Sequence, residues 1–200
     1  PMRETLTAED MQKLGDPVWR LCSGLYKIVD KEGQVIPFRP KREQRRIILE
    51  VFRQDIRRWI ILKARQLGFS TLIELIALDF ALFNRNVQVS IVDQTQADAS
   101  KKLREKCKFA WERLPKELQG RLAADSGVNL GFEGGGMINA GMNARGGTNH
   151  FLHVSELGPI AFHDVKRADE VRTGAFPSVP RSGMIFVEST FMGGKGGFFY

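Results

Sequence analysis

The segment KARQLGFST, residues 63–71, contains the residue types of a phosphate-binding loop. It lies between the apolar runs WIIL and LIELIALDFALF, which predict a strand that turns directly into a helix. A phosphate site needs backbone N–H groups at a helix N-terminus, a glycine where the backbone approaches the phosphates, a cation, and a hydroxyl for Mg²⁺. Gly68, Ser70 and Thr71 supply the glycine and the hydroxyls, so phosphate binding is the chemistry that this segment predicts.

The cation of this loop is displaced from its usual position. The common spacing G-x-x-x-x-G-K-[ST] has a glycine where this chain has Lys63, and a lysine where this chain has Phe69. Lys63 and Arg65 are therefore the candidate cations, because the long flexible stem of Lys63 could fold back across bound phosphates. Taken alone, the segment also fits an ordinary strand-to-helix turn.

A carboxylate follows a second apolar strand, in FLHVSE, residues 151–156. In nucleotide hydrolases of strand–loop–helix architecture such a strand ends in Asp-Glu, in which the Asp holds the Mg²⁺ shell and the Glu polarises the attacking water. Glu156 is therefore the candidate base. Ser155 stands at the Asp position, where its hydroxyl can contact a metal-bound water but supplies no charge. A surface carboxylate at a strand end is the alternative.

Two further segments contribute candidate site residues. Ser189 and Thr190 end the predicted strand RSGMIFVEST, where they could sense a γ-phosphate. Arg145 lies in NARGGT, in which glycines leave it exposed and adjustable, so it could neutralise transition-state charge on the nucleotide of a neighbouring subunit. An arginine that only solvates this turn is the alternative. His150 and His153 are three residues apart on a predicted strand and face opposite sides, which argues against a shared metal.

The elements that must position these residues alternate along the chain. The predicted strands are RRWIILKA, NVQVSIVD, GGMINAGM, NHFLHVSE and RSGMIFVEST, and the predicted helices cover residues 41–54, TLIELIALDFALF, and QTQADASKKLREKCKFAWERL. This alternation predicts an α/β fold with a central, mostly parallel sheet flanked by helices. Residues 1–36 are predicted as an N-terminal helical and loop segment and residues 37–200 as the core, while the glycine-rich stretch 127–147 fits short strands with tight turns or a mobile loop.

Composition indicates an anionic partner. The 200 residues carry a formal net charge of +7 with a pI near 9.7, which favours nucleic acid. Two basic clusters, residues 39–58 and 101–108, are candidate DNA-contacting surfaces, although solvated faces of amphipathic helices explain them equally. No apolar stretch is long enough to span a bilayer and the two cysteines lack metal spacing, so we expect a soluble, intracellular protein.

Together these segments resemble the large terminase subunits of tailed bacteriophages, the ATP-driven motors that package DNA. KARQLGFST resembles their Walker A loop, in the deviant subset that opens with lysine and lacks it at the later position. FRPKREQRR resembles the upstream segment whose Gln, here Gln44, contacts adenine. HVSEL resembles a Walker B segment with Ser before the catalytic Glu. ESTFMGGKGGFFY resembles the coupling motif EST and the Gly-rich, Phe-Tyr segment after it. The four motifs follow the order of the family over residues 36–200.

The resemblance implies a P-loop NTPase core of the ASCE, RecA-like class that uses ATP and Mg²⁺. Ser70 would bind Mg²⁺, assisted by Ser155 directly or through water, and Glu156 would activate water. Ser189 and Thr190 would couple hydrolysis to movement. The implied ATP-binding residues are Gln44, Lys63, Ala64, Arg65, Gln66, Leu67, Gly68, Phe69, Ser70 and Thr71.

The resemblance also implies two arginines and a set of partners. Arg65 resembles the arginine that acts within its own subunit, and Arg145 the one that acts across a ring interface. The implied partners are double-stranded viral DNA, the portal protein, the small terminase subunit, and further copies of the chain in a ring, usually pentameric, in the host cytoplasm at the procapsid portal. The chain itself could be a monomer when it is not packaging.

Large terminases continue into an RNase H-like nuclease, whereas this sequence ends at Tyr200. It has no Asp/Glu cluster suited to such a two-metal site, so we expect a truncated ATPase domain that does not cut DNA. One alternative is a nucleotide- and DNA-binding module with little hydrolysis. Another is a different DNA-dependent ATPase, such as a helicase core, although the chain has no room for a second RecA-like lobe.

Overall fold

The computed structural model describes residues 7–64, 66–144 and 147–190. Its helices alternate with strands, and two π-helical turns, Leu103–Lys108 and Val171–Ala175, follow the fifth and ninth helices. No helix in these residues is both long and apolar enough to cross a membrane. The helices are α1 (Ala8–Gly15), α2 (Pro17–Cys22), α3 (Arg42–Arg53), α4 (Phe69–Phe83), α5 (Gln96–Lys102), α6 (Phe109–Trp111), α7 (Lys116–Gln119), α8 (Leu157–His163) and α9 (Val165–Glu170).

The strands form a small hairpin and one large sheet. The hairpin pairs β1 (Lys27–Val29) with β2 (Val35–Pro37) in a region for which the sequence predicts only helix and loop. All five predicted strands are confirmed in the large sheet, which gains two more strands from the segment after α7. Its members are β3 (Arg58–Leu62), β4 (Gln88–Val92), β5 (Leu122–Asp125), β6 (Asn129–Phe132), β7 (Met137–Gly141), β8 (Phe151–Ser155) and β9 (Met184–Ser189).

The large sheet is mixed but mostly parallel, in the order β3-β9-β8-β4-β7-β6-β5. Every pair from β3 to β7 is parallel, and only the last two pairs, β7-β6 and β6-β5, are antiparallel. The predicted α/β fold with helices flanking a mostly parallel sheet is therefore confirmed. β9 lies between β3 and β8, so the three strands that carry the predicted site residues are direct neighbours.

Helix α4 is the centre of the core. It is apolar almost all round because the sheet covers one side, while α2 and the π-helical turn after α5 cover others. That turn interrupts the helix predicted from residue 94 onward, and its Leu103 and Cys107 are buried. On the opposite face of the sheet, α8, α9 and the second π-helical turn pack over a separate apolar cluster that includes Val154 and Val187.

A buried ion pair joins the N-terminal segment to α4. Arg20 donates from Nε to Oδ1 of Asp79 at 2.7 Å and from Nη2 to Oδ2 at 2.6 Å. The hydroxyl of Tyr26 donates to the same carboxylate at 2.5 Å. Leu21 and Tyr26 pack in the same core cluster as α4. The domain boundary after residue 36 stays a prediction.

Replacing Asp79 with alanine is expected to lower the free energy of unfolding by about 3–5 kcal/mol, because it leaves the Arg20 charge and the Tyr26 hydroxyl buried without their acceptor. Urea unfolding monitored by circular dichroism measures this. Arg172→Ala, which removes the exposed ion pair with Asp169, is the control and should leave the urea midpoint unchanged. Equal midpoints for the two variants would contradict the prediction.

Candidate active site

The predicted phosphate loop joins β3 to α4. Gly68 precedes the first residue of α4 with φ of +76°, a left-handed conformation that favours glycine. A side chain there would also approach Gln44 Nε2 at 3.0 Å. Ala64, Gln66 and Leu67 lie in the loop, and Phe69, Ser70 and Thr71 form the first turn of the helix, whose free N–H groups are suited to an anion.

Gln44, on helix α3, hydrogen-bonds to this loop. Its Nε2 donates to the carbonyl oxygen of Gly68 at 2.9 Å and to that of Leu67 at 3.3 Å, while its Oε1 accepts from the Lys41 backbone N–H at 2.9 Å. The side chain is almost fully buried. Gln44 is thus adjacent to the loop, and a contact with adenine stays a prediction.

Lys63, Glu156 and Thr190 meet at the carboxyl edge of the sheet. Lys63 Nζ donates to Glu156 Oε1 at 3.2 Å, and Thr190 donates to Glu156 Oε2 from both its backbone N and its Oγ1, each at 3.1 Å. The Lys63 side chain is only 8% exposed, so the displaced lysine points into the site. Glu156 has φ of 56° and ψ of 45°, a left-handed conformation that is rare outside glycine and is typical of functional sites.

Ser189 links the end of β9 to α8. Its Oγ accepts from the Gly158 N–H at 3.0 Å and donates to the Thr190 carbonyl at 2.8 Å. A Cβ at position 158 would lie 2.6 Å from this oxygen, so glycine is needed for the contact. Ser189 and Thr190 therefore hold the carboxylate segment from two sides.

A buried charged network lies directly beneath these residues. Ser155 Oγ donates to Glu188 Oε1 at 3.1 Å. His153 lies between two carboxylates, with Nδ1 2.7 Å from Glu74 Oε1 and Nε2 3.3 Å from Glu188 Oε1. All four side chains are fully buried. The motifs do not predict Glu74, His153 or Glu188 as part of this site. The two glutamates could have been identified from the sequence, because a charged residue inside an apolar strand or helix is unusual.

The network holds its charges through mutual attraction. Burial lowers the pKa of His153, but the carboxylates of Glu74 and Glu188 outweigh it and raise that pKa to about 9. Burial raises the pKa of Glu188, but His153, the nearby Ser70 hydroxyl and Lys63 outweigh it and lower that pKa to about 2. His153 is therefore cationic and Glu188 anionic at neutral pH.

The oxygen atoms in the site suit Mg²⁺. The predicted Ser70 and Ser155 hydroxyls lie near the Glu188 carboxylate, and hard oxygen donors are the ligands that Mg²⁺ prefers. In residues 7–64, 66–144 and 147–190, no group of three or more His, Cys, Asp or Glu side chains could hold a metal ion. A bound Mg²⁺ would therefore need phosphate oxygens as well.

Some predicted residues are not placed. Arg65, Arg145 and the segment 191–200 lie outside the described residues, so the structure adds nothing to the predictions for them. The basic clusters are placed, and several of their charges contact the protein itself. Arg58 donates to the carbonyl oxygens of Pro180 and Gly183, Lys102 pairs with Asp93, and Lys108 pairs with Asp125.

Stability is expected to fall as pH rises from about 6.5 to about 9, because the folded protein binds the His153 proton more tightly than the unfolded chain does. The contribution, up to about 3 kcal/mol, is complete below the unfolded pKa of 6.5 and lost as pH rises through about 9. Urea unfolding at both pH values measures it. His153→Gln should reduce the difference and His163→Gln, at an exposed histidine, should not. Equal pH dependence in both variants would contradict the prediction.

Known proteins were compared with the sequence and with the structure. A scan against models of protein families gave no match, and neither did a search of curated proteins. Among solved structures, the chain is similar to the crystal structure of the HK97 bacteriophage large terminase, with a TM-score of 0.67 and 17% sequence identity. The match covers 86% of this chain and 37% of that one, so this chain spans little more than a third of that protein's length. The chain therefore shares its fold with a bacteriophage large terminase, as the resemblance of its motifs predicts.

Proposed function

We propose that this chain is the ATPase domain of a DNA-packaging terminase large subunit. It hydrolyses ATP with Mg²⁺ and uses the energy to move double-stranded DNA into a procapsid. The observation that carries the proposal is the meeting of Lys63, Glu156 and Thr190 beside the N-terminus of α4. Ligands of open parallel sheets bind at this carboxyl edge, and the shared fold with a large terminase supports the same assignment.

Lys63 and Glu156 have complementary roles in this proposal. In the structure the two side chains pair, and each restrains the other. Phosphates bound on the loop N–H groups would attract Lys63, which leaves Glu156 Oε1 free to accept a proton from the attacking water. In this proposal the lysine at the start of the loop can pair with either a phosphate or the carboxylate of the base.

Thr190 and Ser189 are suited to transmit changes at Glu156. Thr190 contacts the base with two hydrogen bonds, and Ser189 contacts the first turn of α8 just after it. A shift of Glu156 during hydrolysis therefore displaces the end of β9. Arg65 acting within the subunit and Arg145 acting across a ring of copies belong to the same proposal, as do the partners: viral DNA, portal protein and small terminase subunit.

One observation favours a second function. Ser155 places an uncharged hydroxyl where nucleotide hydrolases carry a metal-binding carboxylate, so the chain could bind nucleotide and DNA with little hydrolysis. The two functions predict different effects of a Glu156 substitution on the rate of ATP hydrolysis.

ATP turnover by the wild type and by Glu156→Gln, with and without DNA, separates them. If Glu156 is the base, the substitution lowers the rate by about 10²–10⁴-fold and leaves nucleotide affinity in place. Absence of wild-type turnover at high protein concentration with DNA, or an equally fast variant, would refute the ATPase motor. Nucleotide binding without wild-type turnover would favour the binding module.

Binding of a labelled ATP analogue tests the displaced lysine separately. Lys63→Ala is expected to weaken this binding by about tenfold or more, because it removes the charge that faces the phosphates. Lys116→Ala, at an exposed lysine on α7, is the matched control and should bind like the wild type. Undiminished affinity in Lys63→Ala would contradict the phosphate role.

A further inference from the structure

Ser155 at the end of β8 stands where a carboxylate is expected, and Glu188 on the neighbouring strand can replace that carboxylate. Ser155 is the register partner of Glu188 on β9, and the two side chains share a hydrogen bond of 3.1 Å. On its other side β9 pairs with β3, where Ile61 is the register partner of Glu188. Glu188 therefore lies between the strand that leads into the phosphate loop and the strand that carries the candidate base.

The two oxygens of Glu188 differ in their surroundings. Oε1 accepts from Ser155 and lies 3.3 Å from His153 Nε2. Oε2 is buried and has no hydrogen-bond partner among the residues that the structure describes, and Lys63 Nζ lies 3.5 Å from it. A buried carboxylate oxygen without a hydrogen bond is costly, so its retention calls for a ligand or a cation that the site receives.

We propose, on the basis of the proposed function, that Glu188 Oε2 supplies the carboxylate of the Mg²⁺ shell, directly or through water, in place of the missing acid at Ser155. Ser155 and His153 are positioning residues, because they contact Oε1 and leave Oε2 on the side of Lys63. The role follows from three features: the burial of Glu188, an oxygen that accepts no hydrogen bond from the described residues, and adjacency to both strands of the site.

The charges of the site support an exchange of cations at Glu188. Lys63 Nζ lies 3.2 Å from Glu156 Oε1 and 3.5 Å from Glu188 Oε2. When bound phosphates attract Lys63, Glu188 Oε2 loses its nearby ammonium group. Its negative charge is then available to a divalent cation bound with the nucleotide, which explains why an uncharged Ser155 is tolerated beside it.

Manganese binding tests this role without relying on turnover. Electron paramagnetic resonance gives the Kd of Mn²⁺ for the protein with a non-hydrolysable ATP analogue. Glu188→Gln is expected to raise this Kd by about 10–100-fold and to leave analogue binding in EDTA nearly unchanged. Glu117→Gln, at an exposed glutamate on α7, is the control and should keep the wild-type Mn²⁺ affinity.

Moving the carboxylate from position 188 to position 155 gives a second test. Ser155→Asp combined with Glu188→Gln is expected to recover most of the Mn²⁺ affinity, because the charge returns to the neighbouring strand. If Glu188→Gln does not fold by circular dichroism, Glu188→Asp keeps the charge beside His153 but withdraws the carboxylate by one methylene, and should still weaken Mn²⁺ binding.

Two outcomes count against the proposal in different ways. Wild-type Mn²⁺ affinity in Glu188→Gln, or in Glu188→Asp where the first variant is unfolded, would show that Glu188 only balances the charge of His153. The proposed function would survive that result. A wild type that binds no ATP analogue at all would overturn the proposed function and this inference together.

Discussion

The arrangement of the site depends on one constraint, a chain of buried charges that must neutralise one another. Glu74, His153 and Glu188 are completely buried, and Lys63 is nearly so. Each isolated charge would be costly in the interior, but alternating signs make the set tolerable. Because its members come from α4, β8, β9 and the end of β3, the network fixes these elements relative to one another. The predicted phosphate loop, the candidate base and the Ser-Thr pair are positioned as a result.

This constraint also accounts for the unusual loop. A lysine at the start of the loop lies at the end of β3, next to β9 and within reach of both Glu156 and Glu188. At position 69 the side chain instead belongs to the first turn of α4, where Phe69 packs against the core. The loop thus keeps a cation at the carboxyl edge of the sheet although its position in the sequence has changed.

Much of this was predictable from the sequence. Hydrophobic patterning predicts the five strands, and the polar residues that follow β3, β8 and β9 predict the edge at which the site forms. The order of the strands was not predictable, because pairing of β9 between β3 and β8 is set by tertiary packing. The proposed role of Glu188 depends on that order and on its register with Ser155, so no local motif indicates it. The glycine-rich stretch fits either short strands or a mobile loop, and the structure has β6 and β7 there. Between them, a Cβ at Gly136 would lie 2.4 Å from Val87 Cγ2, so glycine is needed for this close approach.

In the proposed function, the displaced lysine exchanges a carboxylate for a phosphate. A crystal structure of the protein with a non-hydrolysable ATP analogue and Mg²⁺ would show this exchange. We expect Lys63 Nζ within hydrogen-bonding distance of a phosphate oxygen and Glu156 Oε1 released from the lysine. Phosphates bound on the loop while Lys63 remains paired with Glu156, as in the present structure, would contradict it.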